Sequence, residues 1–164
     1  LKRAAILTVT FIFILLPSCQ DEVICTQDLV AKANAGFYVR DASGQRDTLV
    51  GSFIFYSVLR PDSMLYDASS GIHRIRFPLP QSPAEYTAFV MENGSLADTI
   101  IIHHSTRLEL VSFSCGFAAV HDLERLEYGN RIIDTISIAN PLVDLTDDEN
   151  LKIYIRPAVA DTAG

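Results

Sequence analysis

RIRFPL, residues 74–79, is the stretch whose reading decides the fold class. Ile75, Phe77 and Leu79 fall to one side of it, Arg74, Arg76 and Pro78 to the other. Successive side chains of an extended chain point to opposite faces, so this two-residue period predicts a half-buried strand. LKIYIR, residues 151–156, repeats the pattern, with Leu151, Ile153 and Ile155 opposite Lys152, Tyr154 and Arg156. TLVGSFIFYSVL, residues 48–59, is apolar on both faces and rich in aromatic and β-branched residues. That composition disfavours a helix and predicts a central strand covered on both sides.

The same reading extends along the chain. Tyr86 to Met91, Thr99 to His104, Leu108 to Phe113 and Ile132 to Ile138 are further strand segments. Turn formers separate them at Ala42-Ser43-Gly44, Arg60-Pro61-Asp62, Ser69-Ser70-Gly71, Glu92-Asn93-Gly94 and Tyr128-Gly129-Asn130. Many short strands at a spacing of roughly 8 to 14 residues predict an all-β fold, an antiparallel β-sandwich that is immunoglobulin-like or similar. The expected single domain runs over residues 27–156, followed by a frayed tail at 157–164. Phe117 to Tyr128 admits two readings. Val120, Leu123 and Leu126 are spaced like a helix stripe, length and context fit a strand nearly as well, and a strand is the expectation.

The beginning of the chain has a different character. Lys2-Arg3 precede an apolar run from Ala4 to Leu16, broken only by Thr8 and Thr10. A basic start and an apolar run of about a dozen residues match a secretory signal, and a spanning helix needs roughly 20. Leu16-Pro17-Ser18-Cys19 resembles a lipobox, with Pro17 as a mild departure. The resemblance implies a lipoprotein signal peptide over 1–18, a lipid-modified Cys19, and a tether over 19–26. Gln20-Asp21-Glu22 is similar to the surface-export signals of Bacteroidetes lipoproteins, and the alternative is a solvated acidic tether. The expected location is therefore the outer membrane, lipid-anchored, on the periplasmic face or the cell surface.

With Cys19 assigned to lipid, Cys25 and Cys115 remain. An extracytoplasmic compartment permits a disulfide between them, and two free buried thiols are the alternative. No C-x-x-C spacing points to zinc. The whole chain carries 13 basic and 20 acidic residues. Residues 1–18 contain Lys2 and Arg3 as their charged groups, so the chain from Cys19 has 11 basic against 20 acidic residues, a net −9. That balance argues against nucleic acid and against an anionic lipid surface as partners.

The stretch SCGFAAVHDLERLEYGNRIIDTISIANPLVDLTDDENLKIYI, residues 114–155, resembles an uncharacterised family of Bacteroidetes lipoproteins. The points of match are Cys115-Gly116, Ile133-Asp134-Thr135-Ile136, Asn140-Pro141 and Asn150-Leu151-Lys152-Ile153-Tyr154, together with the early Cys25 and the lipobox at Cys19. The resemblance implies a small secreted β domain with a lipid anchor, and it carries no activity.

Catalytic and metal-binding constellations are weak. His73, His103, His104 and His121 are the histidines, and the adjacent His103 and His104 face opposite sides of a strand, which reads as an exposed strand end. No G-x-S-x-G elbow is present. Thr146-Asp147-Asp148-Glu149-Asn150 lacks the alternating ligands and turn glycine of a calcium loop and reads as a solvated turn. The chain has no Trp, so a glycan platform would have to use Tyr38, Tyr56, Tyr66, Tyr86, Tyr128 or Tyr154.

One pattern recurs: Asp-Ser/Thr-apolar at Asp47-Thr48-Leu49, Asp62-Ser63-Met64, Asp98-Thr99-Ile100, Asp134-Thr135-Ile136 and Asp161-Thr162-Ala163. It resembles the O-glycosylation acceptor of Bacteroidetes secreted proteins, which makes Thr48, Ser63, Thr99, Thr135 and Thr162 candidate sites. The competing explanation is a turn ending in Asp followed by a strand that starts at Thr.

These features predict a lipid-anchored, non-catalytic module that binds or scaffolds envelope components, without cofactor, metal or catalytic residues. Its expected partners are the membrane through the anchor and an envelope protein or glycan. The alternatives are a glycan-binding surface lipoprotein and an envelope hydrolase with an unrecognised site.

Overall fold

The structure is a computed structural model and describes residues 25–41, 44–68, 71–81 and 84–156. The segment 1–18 expected to be a signal peptide, Cys19, Thr162 and the segment 157–164 expected to be a frayed tail lie outside the described residues. Arg74–Pro78 forms a strand with the expected alternation: Ile75 and Phe77 are buried, and Arg74, Arg76 and Pro78 are exposed. All regular elements among the described residues are strands.

Five strands form the first sheet: β1 (Lys32–Asp41), β2 (Gly44–Asp47), β5 (Arg74–Pro78), β9 (Ile133–Ile138) and β11 (Leu151–Ile155). β2 and β5 share one edge of β1, pairing with its second and first halves, while β11 takes the other edge and β9 follows. The β1–β11 pair is parallel, with Phe37 beside Ile153, and the other pairs of this sheet are antiparallel. The second sheet has the order β10 (Leu142–Val143), β8 (Gly116–Tyr128), β7 (Leu96–Ser112), β6 (Tyr86–Asn93), β3 (Phe53–Ser57), β4 (Met64–Ala68). The two sheets pack as a sandwich. Phe37 and Phe77 of the first sheet meet Phe53, Phe55 and Phe89 of the second, with ring centroids 5.5 Å apart for Phe37–Phe53, 5.2 Å for Phe55–Phe77 and 4.7 Å for Phe77–Phe89. Tilted and edge-on rings at such spacings add to the apolar burial that drives two inner faces together.

Two expectations need correction. The strand expected over 48–59 is limited to Phe53–Ser57. It buries Phe53 and Phe55 while Ile54 and Tyr56 are half-buried, so it is covered on one face rather than two. Val58 and Leu59 are exposed in the turn closed by the bond from Arg60 N to Ser57 O. Second, the segments expected at Thr99–His104 and Leu108–Phe113 are one strand, β7, which runs straight through Ser105-Thr106-Arg107 and ends at Ser112, leaving Phe113 in the turn. The strand expected over Phe117 to Tyr128 is found as β8, and the helix-like step from Leu123 to Leu126 has a strand explanation. The register shifts between His103 and His104, which pair with Arg125 and Leu123, so Glu124 is an extra residue on β8. A bulge turns the two-residue period into a three-residue step and keeps Leu123 and Leu126 on the core side.

Two buried polar side chains stitch the sheets and loops. Asn150 is 3 % exposed; its Oδ1 accepts from the Asn34 N–H at 3.0 Å, and its Nδ2 donates to the carbonyls of Asn140 at 3.2 Å and Leu142 at 2.7 Å. Asp98 on β7 accepts three backbone bonds from the loop that leads from β8 to β9, taken up in the Discussion. The residues that carried the family resemblance therefore have structural duties: Ile133 and Ile136 are core, Asn150 is a stitch, and Gly116 takes a φ of 77° that favours glycine.

Candidate functional site

β7 outruns its neighbour. Its pairing with β6 ends at His103–Tyr86, and it continues with β8 as a hairpin to Ser112–Gly116, with the short β10 on the far edge of β8 at Asp122 and His121. Within this hairpin Leu108 and Leu110 lie two residues apart on one face, and Phe117 stands directly opposite Leu110. Leu108, Leu110, Phe113 and Phe117 are 67 %, 51 %, 100 % and 62 % exposed. An apolar group of that size at one end of a domain marks an interaction surface more often than scattered single hydrophobes do. Arg107 pairs with Glu109 and Asp122 on the shank of the same hairpin, so its charges are neutralised in place.

The hairpin end is tied to the start of the described chain. Cys25 and Cys115 form a disulfide with their Cα atoms 4.9 Å apart, across a sequence separation of 90 residues. Val30 then forms a parallel bridge with Ala119, and Lys32 holds Asp28 at 2.7 Å, so the segment follows the free edge of β8 into β1. The pairing of Cys25 with Cys115 is thus realised between the N-terminal segment and the hairpin turn.

A polar cluster sits at the base of the hairpin. Thr106 is directly opposite His121, and His104, two residues earlier on the same face of β7, completes the group. Thr106 Oγ1 lies 2.9 Å from His121 Nδ1 and 3.3 Å from His104 Nδ1, and Thr87 Oγ1 lies 2.9 Å from His104 Nε2. The two rings stand edge-on with centroids 5.3 Å apart. Two orientations of this chain satisfy every member, each alternating donor and acceptor through neutral imidazoles. The expectation of an exposed strand end at His103 and His104 fails for His104, which is 2 % exposed and packs against His121, itself 1 % exposed. His103 does face outward, at 2.9 Å from Glu127 Oε1. The pairing of the two buried rings was missed because it depends on recognising β7 and β8 as one hairpin with Thr106 in its strand.

Above the cluster lies an open cleft of about 530 Å³ lined by Ala84, Glu85, His103, His104, Ser105, Thr106 and Glu124. The bulge places Glu124 there. The cleft presents two carboxylates and one outward imidazole, while both nitrogens of His104 are already held by threonine hydroxyls. Among the described residues no three His, Cys, Asp or Glu side chains are placed to hold a metal ion.

Burial lowers the proton affinity of both rings. Desolvation brings His121 down from 6.5 to about 4, with a smaller contribution from His104. Desolvation also lowers His104, opposed by Glu124 and aided by His103. Between the folded and unfolded values the unfolded chain binds more protons, so stability is full above pH 6.5 and falls as the pH drops towards 4. The His121 shift predicts a loss of about 2 kcal/mol by pH 5 and about 3 kcal/mol in full. Denaturant unfolding measured from pH 7 to pH 5 checks this. A His121→Asn variant is expected to flatten the slope, and an unchanged slope would refute the assignment.

The candidate acceptor residues sit in unlike environments. Ser63 is exposed in the turn before β4, and Thr99 is exposed on β7. Thr135 is half-buried on β9, with its hydroxyl 3.0 Å from that of Tyr128, and Thr48 is 7 % exposed. The turn-then-strand explanation describes Asp62-Ser63-Met64 but not Asp98 or Asp134, which are inside strands. The tyrosines are dispersed as well: Tyr86 and Tyr128 are 56 % and 37 % exposed, and Tyr154 is buried.

No helix among the described residues is long and apolar enough to cross a membrane. No curated protein and no solved structure matches the chain. Residues 52–155 match the family of unknown function DUF6452, and the chain belongs to that family. The match begins just before β3, so β1, the strand to which β2, β5 and β11 are all bonded, lies ahead of it.

Proposed function

We propose that this protein is a lipid-anchored module of the cell envelope that binds or scaffolds other envelope components and performs no catalysis. The supporting observation is the Cys25–Cys115 bond. Of three cysteines it takes two, and the third is Cys19, directly behind an apolar run and a lipobox-like Leu16-Pro17-Ser18. A thioether to diacylglycerol at Cys19, with a further acyl chain on the new amino terminus, supplies more than one chain. Each buried methylene contributes about 0.8 kcal/mol, so two or more chains hold a domain stably at a bilayer. A disulfide also fits an oxidising compartment outside the cytoplasm.

Labelled palmitate is expected to enter the protein in cells, and Cys19→Ala is expected to abolish labelling and move the protein from the membrane fraction to the soluble one. A wild-type chain that takes up no label ends the reading.

A further inference from the structure

We infer that the β7–β8 hairpin end is the surface on which the domain rests against the lipid bilayer, with Leu108, Leu110, Phe113 and Phe117 entering the boundary between headgroups and acyl chains. The inference rests on the lipid-anchor reading and adds an orientation and a contact surface to it. The four side chains form one apolar end, and Phe113, wholly exposed, is its foremost residue. What covers them follows from connectivity. Cys115, two residues beyond Phe113, is bonded to Cys25, and Cys25 is six residues from Cys19. Six extended residues reach at most roughly 20 Å. Whatever direction that segment takes, a lipid at Cys19 keeps the bilayer within that distance of the hairpin end. The disulfide fixes this proximity by a covalent bond, where the neighbouring Val30–Ala119 bridge holds the N-terminal segment to β8 by backbone pairing alone.

The chemistry of the end selects neutral lipid and apolar insertion. Arg107 is already paired with Glu109 and Asp122, so no free cation on the hairpin shank addresses anionic headgroups. The strongly acidic net charge likewise disfavours an anionic surface. The opposite end of β7 is built differently. There Gly94, at a φ of 58°, and Ser95 make a two-residue polar turn between β6 and β7. One strand of 17 residues thus leads from a polar turn, beside which Leu96 is 37 % exposed, to the apolar end beside the anchor.

The absence of Trp from the chain makes the test direct. Phe113→Trp and Ser95→Trp each create a single fluorophore at an exposed position, at opposite ends of β7. Each full-length lipidated variant is reconstituted into phosphatidylcholine vesicles whose acyl chains carry bromine. Phe113→Trp is expected to be quenched at least threefold more strongly than Ser95→Trp and to shift its emission to the blue. Palmitate incorporation is measured on the same preparations. Equal quenching of the two variants, or no quenching of Phe113→Trp in a protein that does carry palmitate, overturns the orientation and leaves the anchor standing. Absence of palmitate removes the anchor, and the inference with it.

Discussion

The Cys25→Ala/Cys115→Ala double variant is expected to lose about 4 to 5 kcal/mol of unfolding free energy, by the chain-entropy arithmetic for a closed loop of this length. The bond joins residues separated by 90 positions, and the loop between them contains β1 to β7. Cross-linking therefore restricts an unfolded chain whose closed part includes strands from both sheets. The large loop raises the expected effect only slowly, since closure entropy grows with the logarithm of length. Two readouts separate this global effect from a local one. If the unfolded state is the seat of the effect, the denaturant midpoint falls and the m-value rises, because an uncrosslinked chain exposes more surface. A merely local staple would leave the midpoint unchanged and lower hydrogen-exchange protection only around Val30 and Ala119. The locality matters for function, since the same bond holds the hairpin end beside the N-terminal segment.

Much of the fold was legible because burial on one face writes itself into the sequence. Arg74–Pro78 and Leu151–Ile155 carry that period, and both are strands of the first sheet with the expected residues inward, apart from Tyr154. Tyr154 is buried on the other face, where Arg40 stacks 3.9 Å over its ring and Tyr38 lies 5.8 Å away. The parallel β1–β11 pair had no local signature, because pairing of distant strands leaves no mark in either one. β7 was cut in two for a related reason. Ser105-Thr106-Arg107 reads as a polar gap, yet Thr106 is inward and bonded to two imidazoles that lie far apart in the sequence. The His104–His121 pair could have been found by folding the chain between Phe113 and Ser114, which brings Thr106 opposite His121. The Cys25–Cys115 pair needed no geometry, only a reason to set Cys19 aside.

Asp98 is the side chain whose loss should be felt next most strongly after the disulfide. Its carboxylate is 4 % exposed and accepts three backbone bonds: Arg131 N–H at 3.0 Å on Oδ1, and Ile132 and Ile133 N–H at 2.7 and 2.9 Å on Oδ2. These donors belong to the segment by which the chain leaves β8 in one sheet and enters β9 in the other. Ile132 and Ile133 are both fully buried, so their N–H groups have no water to turn to. Gly129 belongs to the same arrangement: a Cβ there would overlap the Asp98 carboxylate. A buried donor left without a partner costs about 1 to 3 kcal/mol, and bonds to an ionised acceptor lie at the upper part of the range. Asp98→Ala is therefore expected to cost about 4 kcal/mol, and Asp98→Asn, which keeps one acceptor oxygen, about half as much. Denaturant unfolding gives the magnitude, and hydrogen exchange at Ile132 and Ile133 gives the place. A loss below about 1 kcal/mol for Asp98→Ala would mean that the loop finds other acceptors. The prediction also bears on the Asp-Ser/Thr pattern. Asp98 faces inward to hold a crossover while Thr99 faces out, so at this position the aspartate has a structural duty whether or not its neighbour carries a sugar. A Thr99→Ala variant separates the two: it removes the exposed hydroxyl, leaves the three bonds in place, and should cost little stability, within about 0.5 kcal/mol.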